Sequence, residues 1–303
     1  MSSPTNIPKY QAWLLASRPK TLPAAVSPVI IGAAVAFAEY SFRFGPALAA
    51  FLGALLLQIG ANLANDVFDF EKGADQHNRL GPLRVTQAGL LSPKEVKTGM
   101  WITFGLAAVC GIYMTLVSGW LIVLIGFLAI LAAIAYTGGP FPYGYKGLGE
   151  IFVFIFFGFA AVCGTYYAQT RTISQLALLS SIPVGLLIVA ILVVNNVRDY
   201  ESDKAANKRT LAVRFGLEWA RQEFISVVVL AFVIVVLLSI SDLTTPWLLL
   251  TWFSLPLVFS TSSSVINQRG KVLNKTLAGT GQLTLIFSLL YALGLILSVY
   301  IPL

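Results

Sequence analysis

Nine stretches of almost uninterrupted apolar sequence alternate with short polar segments along this chain of 303 residues. They cover approximately residues 21–38, 46–65, 99–117, 120–136, 150–168, 174–195, 223–240, 245–263 and 281–301. Each is long enough, as a helix rising about 1.5 Å per residue, to cross most or all of roughly 30 Å of hydrocarbon. The pattern predicts an all-α, polytopic membrane protein with about nine transmembrane helices in a single bundle and loops capping its cytoplasmic end. Pro23 and Pro28 in the first run, and Pro183 in the sixth, are expected to kink their helices. Composition agrees. Hydrophobic residues make up 57% of the chain and charged residues 11%, against about 25% charged in a soluble domain. No cleavable signal peptide is expected, because the first twenty residues are polar and the first apolar run is a full span.

Charge adds sidedness. With the N-terminus placed inside, the segments 1–20, 66–98, 137–149, 196–222 and 264–280 hold every Lys and Arg except Arg43 and Arg171. That asymmetry predicts a cytoplasmic N-terminus and an external C-terminus. It also accounts for the net charge of +7, so no nucleic-acid partner is implied. Cys110 and Cys163 lie inside apolar runs and are expected as packed thiols, and His77 as a solvated loop residue. A Cys/His metal site is excluded by so few ligands.

The acids need another explanation. All but Glu39 and Asp242 fall at or near the same side as the bases, although acids follow no sidedness rule. They concentrate in "NDVFDFEKGAD" (Asn65 to Asp75) and "NNVRDYESDK" (Asn195 to Lys204), at the inner ends of the second and sixth runs. Each cluster starts with Asn and leads into a basic loop. This suggests two related four-helix units, about 21–136 and 150–263, plus a ninth helix, within one domain spanning 1–303.

Asp66 and Asp69 are three apart and Asp199 and Asp203 four apart, so each pair shares a face if its helix continues. Like charges at that spacing repel, and an apolar border raises the cost. Mg²⁺ offsets such repulsion, taking a few carboxylates, several waters and substrate phosphates. Arg79, Arg84, Lys146, Lys204, Lys208 and Arg209 in the cytoplasmic loops suit phosphate oxygens. Asn62 lies one turn before Asp66, and Asn196 sits likewise near the end of its span, so both can face a cavity. Acids for Mg²⁺ beside bases for phosphate make a diphosphate site, above an apolar bundle suited to a lipid tail. The bland alternative is juxtamembrane charges pairing with one another and with anionic headgroups.

These residues resemble the UbiA superfamily of membrane prenyltransferases, whose two motifs are N-D-x-x-D-x-x-x-D and D-x-x-x-D. Asn65, Asp66 and Asp69 match the first, while Asp75 stands two residues later than the general pattern; Asp199 and Asp203 match the second. With "RPKTL" (Arg18 to Leu22), "GPLRVTQAGLLS" (Gly81 to Ser92) and "DYESDKAANKRTLAVRFG" (Asp199 to Gly216), the chain is most similar to the branch that prenylates 1,4-dihydroxy-2-naphthoate. The resemblance implies Mg²⁺ held by Asp66, Asp69, Asp75, Asp199 and Asp203, an isoprenoid diphosphate donor and an aromatic acid acceptor that loses CO₂, giving a menaquinone or phylloquinone precursor. The site would face the cytoplasm from a bacterial inner membrane, among membrane lipids. Asn62, Asn65, Asn196, Arg79, Arg84, Lys146, Lys204, Lys208 and Arg209 would serve the substrates. Phe68, Tyr136, Tyr143 and Tyr145 are candidates for an aromatic lining, and Arg18 and Lys20 for attracting the acid. The competing readings are 4-hydroxybenzoate, homogentisate, haem or chlorophyll acceptors within the family, and an ion-coupled transporter outside it. A CDP-alcohol phosphotransferase would carry D-G-x-x-A-R, which is absent.

Overall fold

The computed structural model describes residues 7–73 and 80–301. Asp75, His77 and Arg79 therefore lie outside the described residues. Among those described there is no strand. The helices are α1 (Lys9–Ser17), α2 (Pro23–Ala38), α3 (Phe44–Glu71), α4 (Pro93–Ser118), α5 (Leu121–Ala135), α6 (Gly149–Val153), α7 (Ala161–Thr170), α8 (Gln175–Ala205), α9 (Leu211–Phe215), α10 (Leu217–Ser239), α11 (Leu255–Asn267) and α12 (Leu273–Tyr300). One wide π-helical turn, Phe154–Ala160, joins α6 to α7, and a 3₁₀ segment, Pro246–Ser254, leads into α11.

Helix occupies all nine predicted runs. Seven elements are long and apolar enough to cross a membrane, or eight if the bent pair Lys9–Thr21 and Pro23–Ala38 counts as one span. With 15 residues, α5 is shorter than the rest. The 54° bend in the first pair falls just before Pro23, whose ring lacks the N–H that would continue the preceding turn. Pro28 and Pro183 lie within α2 and α8.

Sequence signals set several ends. Ser92 and Glu95 form a reciprocal capping box at α4, satisfying two donors that the first turn leaves open. Ser174 caps α8 in the simpler way, accepting from the Ala177 N–H. Both α3 and α8 run past their apolar windows and carry the acid clusters on helix, to Glu71 and Ala205.

The helices pair as α3 on α4, α2 on α12 and α8 on α10. Two apolar cores result. The larger joins α2, α7, α8, α10 and α12. The smaller joins α1, α3 and α4 with Val85 and Leu91 of the segment between α3 and α4. At one place α8 meets the wide turn closely: a Cβ on Gly158 would sit 3.2 Å from the Gly185 Cα. Cys110 and Cys163 are free thiols, as expected.

Candidate active site

The two cores flank a cavity of about 860 Å³. Helix α8 contributes to its wall in layers. Asp203 and Asp199 stand at the polar end, Asn196 and Asn195 a turn deeper, and Leu192, Ile191 and Ile188 below them. Helix α3 does the same with Asp69, then Asn65 and Asn62, then Leu57 and Ala54. At about 1.5 Å per residue, each layer is one turn thick. Acids, amides and apolar side chains thus follow one another from mouth to floor.

The structure brings the two clusters to the same mouth, with Asp69, Asp199 and Asp203 all lining it. Asp69 is 1% exposed. It is ion-paired with Arg84, accepts from the Tyr145 hydroxyl at 2.5 Å, and lies 3.9 Å from the Lys208 ammonium. Lys208 also stands 4.5 Å over the Tyr145 ring. Asp199 is gripped by its neighbour Arg198, through Nε at 2.8 Å and Nη2 at 2.5 Å. The same guanidinium reaches Asn195 Oδ1 at 2.5 Å and Asn274 Oδ1 at 3.0 Å. An arginine donates only, so the Asn274 amide is oriented, and its Nδ2 donates to the Leu80 carbonyl at 2.8 Å. Charges this deep persist because they are paired and hydrogen-bonded.

Asp66 differs from its motif partner. It is 1% exposed yet absent from the cavity wall. Its two carboxylate oxygens accept the backbone N–H of Val85 at 3.2 Å and of Thr86 at 3.1 Å. A step of three residues leaves about 60° between two helical side chains, enough to turn one inward and the other onto the capping segment. That segment places Pro82, Leu83 and Arg84 across the mouth.

Other expected residues divide. Asn62, Asn65, Arg84, Asn196 and Lys208 line the cavity, as do Arg18 and Lys20. Lys146, Lys204 and Arg209 do not. Lys146 lies 3.5 Å over the Phe141 ring, and Lys204 and Arg209 are exposed. Tyr136, Tyr143 and Tyr145 line the cavity while Phe68 does not. The Tyr143 hydroxyl donates to the Ala132 carbonyl at 2.9 Å, and burial pushes this phenol above its ordinary range, so it stays protonated. Sequence reasoning missed Arg198, Asn274 and the wall aromatics Phe152, Phe156 and Phe157. Arg198 had a legible signal, a guanidinium directly beside a motif aspartate.

The oxygens at the mouth are hard donors of the kind Mg²⁺ takes. Among the described residues no group of three or more His, Cys, Asp or Glu is placed to hold a metal ion. Mg²⁺ takes only a few carboxylates and keeps waters and substrate phosphates, so the carboxylates and amides of the mouth have the chemistry for it.

Residues 25–290 match the UbiA prenyltransferase family. The 1,4-dihydroxy-2-naphthoate octaprenyltransferase of Escherichia coli (strain K12) is 38% identical over 97% of both chains. The protein of the same description from Mycobacterium tuberculosis is 36% identical over 93% of this chain and 96% of its own. Human UbiA prenyltransferase domain-containing protein 1 is 30% identical over 96% of this chain and 85% of its own. Among solved structures, a UbiA homologue from Archaeoglobus fulgidus bound to GPP and Mg²⁺ superposes with a TM-score of 0.66 at 15% identity, covering 94% of this chain and 99% of its own. The apo UbiA homologue of Aeropyrum pernix gives 0.67 at 13% identity, over 91% and 97%. The resemblance carried by the two aspartate motifs holds over nearly the whole chain: this integral membrane protein belongs to the UbiA prenyltransferase family and is a prenyltransferase.

Proposed function

We propose that the chain transfers a polyprenyl group from its diphosphate to 1,4-dihydroxy-2-naphthoate, with loss of CO₂, in the presence of Mg²⁺. The observation that carries this reading is the convergence of Asp69, Asp199 and Asp203 with Lys208 and Arg84 at the polar end of one largely apolar cavity. Full-length similarity to naphthoate octaprenyltransferases supports the choice of acceptor. Asp69, Asp199 and Asp203 would hold Mg²⁺, with Asp75 a further candidate, while Asp66 serves by holding the capping segment. Held there, Mg²⁺ would supply positive charge to offset that developing on the departing diphosphate.

The protein's own groups do the rest. Lys208 and Arg84 would bind diphosphate oxygens, and the Tyr145 hydroxyl would donate there once it leaves Asp69. The carbon–oxygen bond breaks and the diphosphate keeps the electron pair. The layers below exclude water from the allylic cation, and the faces of Tyr136, Tyr143, Phe152 and Phe156 stabilise it without forming a bond. The ring carbon bearing the carboxylate attacks the cation. Loss of CO₂ returns an electron pair to the ring and restores aromaticity. The mouth faces the cytoplasm, on the distribution of basic residues.

The test is incubation of purified protein with Mg²⁺, a set of polyprenyl diphosphates and a panel of aromatic acids, with products identified by mass. The expected product is the naphthoate adduct less CO₂, abolished by chelation and restored by Mg²⁺. Product from 4-hydroxybenzoate or homogentisate but not the naphthoate overturns the acceptor assignment. No product from any acceptor overturns the aromatic-prenylation reading altogether, and ion flux in vesicles then tests the transporter alternative.

A further inference from the structure

One buried carboxylate has no part in the chemistry above. Glu150 opens α6, is 7% exposed and does not line the cavity. Its Oε1 accepts from Asn196 Nδ2 at 2.7 Å. Asn196, 6% exposed, does line the cavity, one turn below Asp199. A primary amide has one donating end and one accepting end. With the nitrogen bound behind the wall, the oxygen is the end left to the cavity. The opposite wall repeats the arrangement. Asn62 Nδ2 donates to the Ser17 carbonyl at 3.0 Å and to Thr21 Oγ1 at 3.1 Å, so its oxygen too is the free end.

The amide layer therefore offers acceptors from two sides, where the reacting carbons of donor and acceptor would meet. An isoprenoid diphosphate brings no O–H or N–H to this depth. A hydroxylated aromatic ring does. A carboxylate in this layer could also accept from a phenol, but an allylic cation touching it would be trapped as an ester. Set behind the amide, the carboxylate orients an acceptor oxygen while keeping its own oxygens away from the cation. A neutral partner such as Gln would serve less well, since it can bind the amide in either orientation.

We infer that Glu150 is a positioning residue that acts through Asn196, fixing its carbonyl oxygen to receive a phenolic hydroxyl of the aromatic acceptor. The inference rests on the proposed aromatic prenylation. Full-length, membrane-inserted Glu150→Leu, Asn196→Leu and the double variant are assayed with each substrate varied in turn. Each single variant is expected to raise KM for the naphthoate about tenfold, the effect of one lost hydrogen bond, with KM for the isoprenoid diphosphate unchanged. The double variant should match Asn196→Leu, because a residue acting only through another adds nothing once that other is gone. Glu150→Gln, which keeps an acceptor oxygen and covers the case in which Glu150→Leu does not fold, should fall between wild type and Asn196→Leu. Additive losses, an equal rise in both KM values, or a naphthoate KM in Glu150→Gln outside that interval overturns the inference while leaving the reaction standing. Absence of product from the wild type with every acceptor overturns the reaction, and the inference with it.

Discussion

The first cluster is held from across the chain. Asp69 takes Arg84 and Tyr145 from two different connecting segments, and Asp66 takes the backbone of the segment that carries Arg84. The second is held from within its own helix, Asp199 by the next residue, Arg198. One is assembled by loops that must be seated first. The other forms with α8 and is steadied by Asn274 from α12. A loop-held carboxylate can be released when a ligand moves the loop, whereas a helix-held one keeps its place. The second cluster should therefore be the fixed reference against which the first closes.

The comparison breaks most severely at the aspartates. Asp69→Asn and Asp199→Asn should each lower turnover about a hundredfold or more, measured at saturating Mg²⁺, since charge on the leaving group appears only in the transition state. If only one of them matters, the clusters do not share a substrate. The arginines come next and should separate the two modes. Arg198→Gln leaves a buried carboxylate without its partner, an effect of about 3–5 kcal/mol, read as a lower Tm. Arg84→Gln also strips a buried carboxylate of an ion partner, although Tyr145 and Lys208 stay beside Asp69, and should add faster hydrogen exchange in residues 84–91 to its loss of Tm. Asp66→Ala should fall below Asp69→Asn and Asp199→Asn in its effect on turnover, about tenfold for lost backbone hydrogen bonds, with the Val85 and Thr86 amides losing exchange protection. Smallest of all, Glu201→Gln, Lys146→Ala, Lys204→Ala and Arg209→Ala should leave turnover within about twofold, because these side chains are exposed and off the cavity wall. A severe loss at Glu201 would mean that α8 presents a different face to the substrate.

Much of this was legible in the sequence. The apolar runs placed every long helix, because membrane spans need length and apolar character above all. The clusters announced themselves because acids beside lipid need a cause. What the pattern could not show was direction. Asp66 and Asp69 share a motif, and only the capping segment packed against α3 separates their roles. Likewise "KGLGE" gives no sign that Lys146 would turn to Phe141 while Glu150 turned inward to Asn196. Asn274 belongs to no motif, and its tie to Leu80 joins residues that only the fold brings together. The condition that each acid pair share a helix face is met, with α3 and α8 running on past their apolar windows to Glu71 and Ala205, because buried polar partners sustain a helix where hydropathy has already fallen.

The short α5 has a consequence for the surrounding bilayer. Its 15 residues span about 22 Å at about 1.5 Å each, against roughly 30 Å of hydrocarbon. It forms part of the cavity wall, and Val123, Phe127 and Leu131 on it are exposed. Lipid meeting so short an apolar face thins locally, at fractions of a kcal/mol per Å of mismatch. Its C-terminal end leads directly to Thr137, which donates to Asn65 at 3.0 Å. Thinning to that length would bring headgroups and water closer to the amide layer, leaving a lipid-borne diphosphate less hydrocarbon to cross on its way in. Turnover should accordingly be faster in bilayers of shorter acyl chains than in thick ones.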